Sequence, residues 1–409
     1  MRRSKLARIR LVRIGAAAAL ALVMTACAAG EGTADSANPD TTGSSKGPIV
    51  IGADIELSGP AAVQGAAYKN ALELYAKQVN EEGVLDGRQI KLIIRDNKSN
   101  PTEALQIAKG FIERDGVAAI IGGGSTPTTL SLAETVETAG VPTVSMGSSG
   151  AIVSPVAQRQ FLFKTPADNS QVADLMVEDM KARGFDTVGF IGVDNAYGES
   201  GLAAFTKSAA PAGITITGTQ KFGAADKDYT GQMTNLLSAN PDAIVSWAIP
   251  PGAGIVAKNA KAAGYAGQLY FDAGAGAELF LEGAGDAADG VLMTHPTVLV
   301  AHQAPEGTPG REQMQKFYDR YTEAYGSYSG FASYAADALG LLVAAIKEAG
   351  SSDPAAIRGA LEELDYTGTG GEYVMTAEDH SGLIDESLSL LTVKDGKWTL
   401  ADSVINKRS

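Results

Sequence analysis

An α/β protein of two doubly wound lobes is the fold this 409-residue chain predicts, and three observations carry the prediction. From Pro48 onward, short β-branched runs alternate with stretches of helical periodicity, the signature of parallel strands wrapped by helices. The alternation comes in two successive blocks. The 383 residues from Cys27 onward also exceed what one hydrophobic core normally serves, so two lobes are expected.

Taken in order, the chain opens on a leader. Arg2, Arg3, Lys5, Arg8, Arg10 and Arg13 precede a nine-residue apolar run, Ala16 to Met24, and small residues follow. The run is too short to cross a bilayer, which takes about 20 residues. The sole cysteine, Cys27, comes after Thr25 and Ala26. This segment resembles a bacterial lipoprotein signal, which implies cleavage of 1–26 and acylation of Cys27; an ordinary secretory signal cut nearby would leave the thiol a spectator. Residues 27–47 carry almost no large apolar side chain, cannot offset the entropy of ordering, and read as a flexible tether.

Strands are expected at Ile49 to Ala53, Ile90 to Ile94, Ala118 to Ile121 and Val141 to Ser145. A second set is expected at Thr187 to Val193, Ile214 to Thr217, Ala243 to Trp247 and Leu269 to Phe271. Between them, Leu72, Tyr75 and Val79 recur at helical spacing. Asn100-Pro101-Thr102-Glu103 is a helix start with Asn as cap, Pro at the first position and Glu three residues on.

Composition narrows the function. Loss of the leader removes six cations and no anion, taking the formal charge from -14 to -20. Such a surface repels polyanions, so nucleic acid is not an expected partner. His295, His302 and His380 lack metal-ligand spacing, and no Gly-x-Ser-x-Gly elbow occurs, so neither zinc, another cofactor nor enzymatic catalysis is expected.

Two loops suit an anion. Gly122-Gly123-Gly124-Ser125-Thr126-Pro127 ends a buried run and opens a helix near Thr128, where close backbone approach and unpaired amides favour a carboxylate. Ser145-Met146-Gly147-Ser148-Ser149 offers further amides and hydroxyls, notably at Gly147 and Ser149. Plain tight turns use the same residues. A nucleotide loop would need a lysine after the glycines, and none is there.

Ile51-Gly52-Ala53, Leu57-Ser58-Gly59-Pro60, Arg95-Asp96-Asn97, Ile120-Ile121-Gly122-Gly123, Gly140-Val141-Pro142, Val193-Asp194-Asn195-Ala196-Tyr197-Gly198 and Phe280-Leu281-Glu282-Gly283-Ala284-Gly285 occur in this order. Together they resemble the branched-chain amino-acid-type, or class I, periplasmic binding proteins that deliver solutes to ABC transporters. The resemblance implies two Rossmann-like lobes joined by three hinge crossings, near Thr165-Pro166, His295-Pro296 and Gly370-Gly371. Residues 48–166 with 297–369 would form one lobe, and 167–296 with 370–409 the other.

It also implies a monomeric, membrane-tethered protein that hands a small carboxylate, foremost a branched-chain or similar apolar amino acid, to a permease. An amine-free aromatic or aliphatic carboxylate, or a non-transport ligand sensor on the same fold, is the alternative. The implied site takes in Gln64, Ser125, Thr126, Gly147 and Ser149, with Tyr197 packing over the ligand. Asp168 serves either the ligand or a helix cap. Ile249 would join Trp247 and Phe331 in an apolar lining, though any of the three would also serve as core. Where such binders often carry an amine-pairing glutamate, this chain has Ala273, with Asp272 one place earlier.

Overall fold

The structure is a computed structural model that describes residues 47–407. The leader, Cys27 and the tether therefore lie outside the described residues. Strands β1 (Ile49–Ile55), β2 (Ile90–Asp96), β3 (Ala119–Gly122), β4 (Thr143–Ser145) and β5 (Leu162–Lys164) alternate with helices α1 (Ala62–Glu82), α2 (Pro101–Gly110) and α3 (Thr126–Ala139). The strands form an all-parallel sheet in the order β2-β1-β3-β4-β5.

Helix α4 (Asn169–Arg183) leads into β6 (Thr187–Val193), α5 (Ala196–Ala209), β7 (Thr215–Phe222), α6 (Thr230–Leu237) and β8 (Ala243–Trp247). Then come α7 (Gly252–Ala262), β9 (Gln268–Phe271), α8 (Glu278–Ala284) and β10 (Leu292–Pro296). Helices α9 (Arg311–Tyr325), α10 (Ala332–Ala349) and α11 (Pro354–Leu361) precede a short hairpin of β11 (Asp365–Thr367) and β12 (Glu372–Val374). Strands β13 (Leu388–Lys394) and β14 (Lys397–Leu400) join a second sheet, ordered β14-β13-β10-β9-β8-β6-β7, and run antiparallel at its edge.

The parallel strands are buried on both faces, so adjacent residues serve different cores. Ile121 and Phe163 face the large core that includes α1 and α10, whereas Ile120 and Leu162 face a smaller one with Phe111, Leu132 and Val136 from the α2–α3 side. Helix α2 begins as its sequence predicts: the Asn100 side chain accepts from the amides of Thr102 and Glu103, at 2.8 and 3.2 Å.

The chain passes between the sheets three times: from β5 to α4, from β10 toward α10, and from β12 toward β13. Two boundaries fall elsewhere than expected. Residues 297–303 stay with the second sheet, because Thr297 Oγ1 lies 2.7 Å from Ser389 Oγ and Gln303 Oε1 accepts from Thr399 Oγ1 at 2.6 Å. The third passage lies beyond Gly370-Gly371. The His380 ring stacks on Phe163 at 4.1 Å and its carbonyl accepts from the Lys164 amide at 3.0 Å, which holds that stretch on the first sheet.

Strand order locates the crevices. In the first sheet β2 and β3 lie on opposite sides of β1, and in the second β7 and β8 lie on opposite sides of β6. At each such reversal the loops after neighbouring strands diverge, leaving a crevice at the carboxyl ends. The loops after β1 and β3 face those after β6 and β8 across one cavity.

Candidate functional site

The first wall begins with the loop after β1. Ser58 Oγ donates to Asp96 Oδ2 at 2.6 Å, and Ser99 Oγ donates to the Ser58 carbonyl at 2.8 Å. Gly59 has φ +84°, and a Cβ there would also stand 2.5 Å from the Lys98 carbonyl oxygen, so only glycine fits. This brings Pro60, Ala61 and Gln64 to the cavity rim.

The loop after β3 departs from expectation. Its amides point inward and are already taken: Glu56 Oε2 accepts from the Gly124 N–H, and Glu56 Oε1 from the Ser125 N–H, both at 3.1 Å. Thr128 Oγ1 adds a third bond to Oε1 at 2.9 Å. The Glu56 side chain is wholly buried, and burial raises its pKa against these donors. Gly124 has no room for a Cβ because the Tyr68 hydroxyl and ring lie against it. Ser125 and Thr126 still line the cavity, and the Thr126 hydroxyl is buried without a partner in the protein.

The loop after β4 also differs. Gly147 N–H donates to Ser145 Oγ at 3.0 Å, and Ser149 is buried, its Oγ accepting from the Ala151 amide at 3.3 Å. Neither lines the cavity; Met146 and Ser148 do, because alternate residues of this extended stretch face opposite ways.

The second wall comes from β6, β8 and β9. The Asn195 side chain caps α5 by accepting from the amides of Tyr197 and Gly198, at 2.9 and 3.3 Å, and so sets Tyr197 at the cavity. The Tyr197 hydroxyl donates to Asp272 Oδ2. Asp272 also accepts from the Gly274 N–H at 3.0 Å and the Ala248 N–H at 3.1 Å. Burial nonetheless pushes its carboxyl up to about 7. Trp247 and Ile249 line this wall as expected, and Phe331 and Tyr334 approach from the start of α10.

Asp168 lies elsewhere. It caps α4 in a reciprocal box with Gln171, and its Oδ2 is 3.6 Å from the buried Lys164 ammonium, which by its pairing holds the carboxyl below the ordinary range despite burial. It belongs to the passage between the sheets, away from the cavity.

The cavity encloses about 180 Å³, close to the 150 Å³ that holds a benzene ring elsewhere. Six aromatic side chains line it: Tyr68, Tyr197, Phe222, Trp247, Phe331 and Tyr334. No lysine, arginine or histidine is among the lining residues, and Asp272 is the one acidic side chain there. Five polar atoms of lining residues are buried without a partner in the protein: the hydroxyls of Tyr68, Thr126 and Tyr334, Trp247 Nε1 and Asn169 Oδ1. Among the described residues no cluster of three or more metal-ligating side chains occurs, and no helix is long and apolar enough to cross a membrane.

Residues 48–397 match the family model described as periplasmic binding protein. The chain belongs to the periplasmic binding protein family. This family member is 27% identical over 329 residues to a "Leu/Ile/Val-binding protein homolog 1" of Brucella suis, covering 78% of this chain and 84% of that one. It is 24% identical to a leucine-, isoleucine-, valine-, threonine- and alanine-binding protein of Pseudomonas aeruginosa, over 75% of this chain and 79% of the relative. An extracellular ligand-binding receptor from Rhodopseudomonas palustris HaA2 superposes with a TM-score of 0.81 at 30% identity, covering 87% of this chain and 100% of the receptor. Like its relatives, this family member is a solute-binding protein of the type I fold and not an enzyme.

Glu56, Tyr68, Asn169 and Tyr334 are among the site features that the residue patterns did not single out. Glu56 carried one signal, an acidic residue closing a buried β run. The three others look like ordinary helix residues until the fold turns them to the cavity.

Proposed function

We propose that the protein is the extracytoplasmic solute-binding component of an ABC importer, tethered to the membrane through lipid on Cys27, and that it takes a small apolar amino acid of the branched-chain kind. One observation carries the choice of ligand: the cavity offers a buried carboxyl and aromatic faces but no cationic side chain. An ammonium fits such a wall through Asp272, Asn169 Oδ1 and cation–π attraction, while an uncompensated anion meets nothing of opposite charge. The ligand's carboxylate would accept from hydroxyls such as that of Thr126, and its apolar body would lie among Trp247, Ile249 and Phe331. The names of the Brucella and Pseudomonas relatives support this reading.

A second reading, an amine-free carboxylate, is favoured by the three donors already on Asp272 and by its raised pKa, since a protonated Asp272 makes that wall neutral. Calorimetric titration separates the two with leucine, 4-methylpentanoate and 3-methylbutylamine, which share a branched body. Binding of leucine with at least tenfold weaker binding of both truncated molecules is expected. Binding of 4-methylpentanoate or benzoate with no response to any amino acid would overturn the first reading in favour of the second.

A further inference from the structure

The carboxylate of Glu56 takes the amides at the start of α3, beside the cavity that Gly124 and Ser125 line. Its two oxygens take the N–H groups of Gly124 and Ser125 and the hydroxyl of Thr128, at 3.1, 3.1 and 2.9 Å, and its side chain has no exposure. A helix start with free amides attracts anions whatever their source. Here the source is the protein itself. At the same turn, Thr126 is 1% exposed with its hydroxyl unpartnered, and the wholly buried Tyr68 hydroxyl, which lies against Gly124, is unpartnered too. The backbone donors are thus taken by Glu56, and unpartnered hydroxyls of two lining residues lie beside them.

We infer that Glu56 is a specificity-determining residue, an internal carboxyl that fills the amide cradle of the Gly123–Ser125 turn. A ligand carboxylate is thereby left with hydroxyl donors alone. The inference rests on the proposal that this cavity is the ligand site. Its consequence is discrimination: with the cradle filled, a bare carboxylate gains too little to enter, whereas a zwitterion also gains the Asp272 wall. Removing the Glu56 carboxyl should free the cradle and admit amine-free acids.

Wild type, Glu56→Ala and Glu56→Gln, each checked for native circular dichroism, are titrated with 4-methylpentanoate, benzoate and leucine, and melted with and without sodium formate against sodium chloride. The expected result is at least a tenfold gain in affinity for 4-methylpentanoate or benzoate in Glu56→Ala over wild type, and at least threefold in Glu56→Gln. Formate should raise the melting temperature of Glu56→Ala alone, by occupying the vacated cradle. No gain for either acid in a folded variant overturns the inference, even if formate stabilises Glu56→Ala, because a purely structural cap would be rescued by formate without changing selectivity. Should Glu56→Ala not fold, the Glu56→Gln titration decides alone. Failure of leucine to bind wild type, beside a gain for the amine-free acids in the variants, would count against the proposed amino acid and leave the role of Glu56 standing.

Discussion

Asp272 couples the site to pH. Burial, outweighing its three hydrogen bonds, pushes the carboxyl up to about 7 from an ordinary value of 3.8. The folded state thus binds more protons than the unfolded one between those values. The contribution of this group to stability is fully present at the acid end and is lost as pH rises through about 7. A ligand ammonium beside Asp272 stabilises the charged form, so affinity for an amino acid should fall below pH 7, by at most about tenfold per pH unit. Melting curves and titrations from pH 5 to 8.5 check both slopes, and Asp272→Asn should flatten both; slopes unchanged in that variant would assign them elsewhere. Of the residues facing the cavity, Tyr197, Thr126, Gln64, Ile249 and Asp272 were legible in the sequence because they follow strand ends, where this fold opens. Ser149 was not separable from Ser148, since which of two adjacent serines faces the crevice depends on one step of backbone parity. Glu56 was illegible for another reason: a carboxylate at a strand end normally faces water, and its burial is set by amides about 68 residues later.

Among the elements, α5 most directly carries function, because the cap that starts it also places Tyr197. Asn195→Ala removes the acceptor for two amides and should cost about 1 kcal/mol, seen as a lower urea midpoint with unchanged slope. Affinity should fall as well, since Tyr197 and through it Asp272 lose their register. A stability loss with full affinity would show that Asp272 alone holds Tyr197. Strands β6 and β8 lie where their apolar runs begin and end, because fully buried parallel strands read as continuous hydrophobic stretches. Strands β5, β11 and β12 have three residues each, too few to show a period. Strands β13 and β14 pass unnoticed in a pattern of alternating strand and helix, since they form an antiparallel edge.

At the scale of the whole molecule, the cavity is built from loops of both sheets, so a ligand held there would bridge them and should shift the population toward closure. Small-angle scattering of the protein with saturating ligand should give a smaller radius of gyration than without; an identical profile would argue for a rigid, preformed site. Cys27→Ser should move the mature protein from the membrane fraction to the soluble one with ligand affinity intact, and unchanged retention would exclude the lipid as anchor. The threefold passage between the sheets has a mechanical corollary. Pro305, Glu306 and Gly307 form an exposed bend after the second passage, open to a protease. A cut there leaves one fragment with every strand of the first sheet and another with the helices α10 and α11 that cover it; likewise β13 and β14 are severed from the sheet they complete. The nicked protein should therefore elute as one particle of unchanged size, its fragments parting only in denaturant and recovering a fold only when mixed.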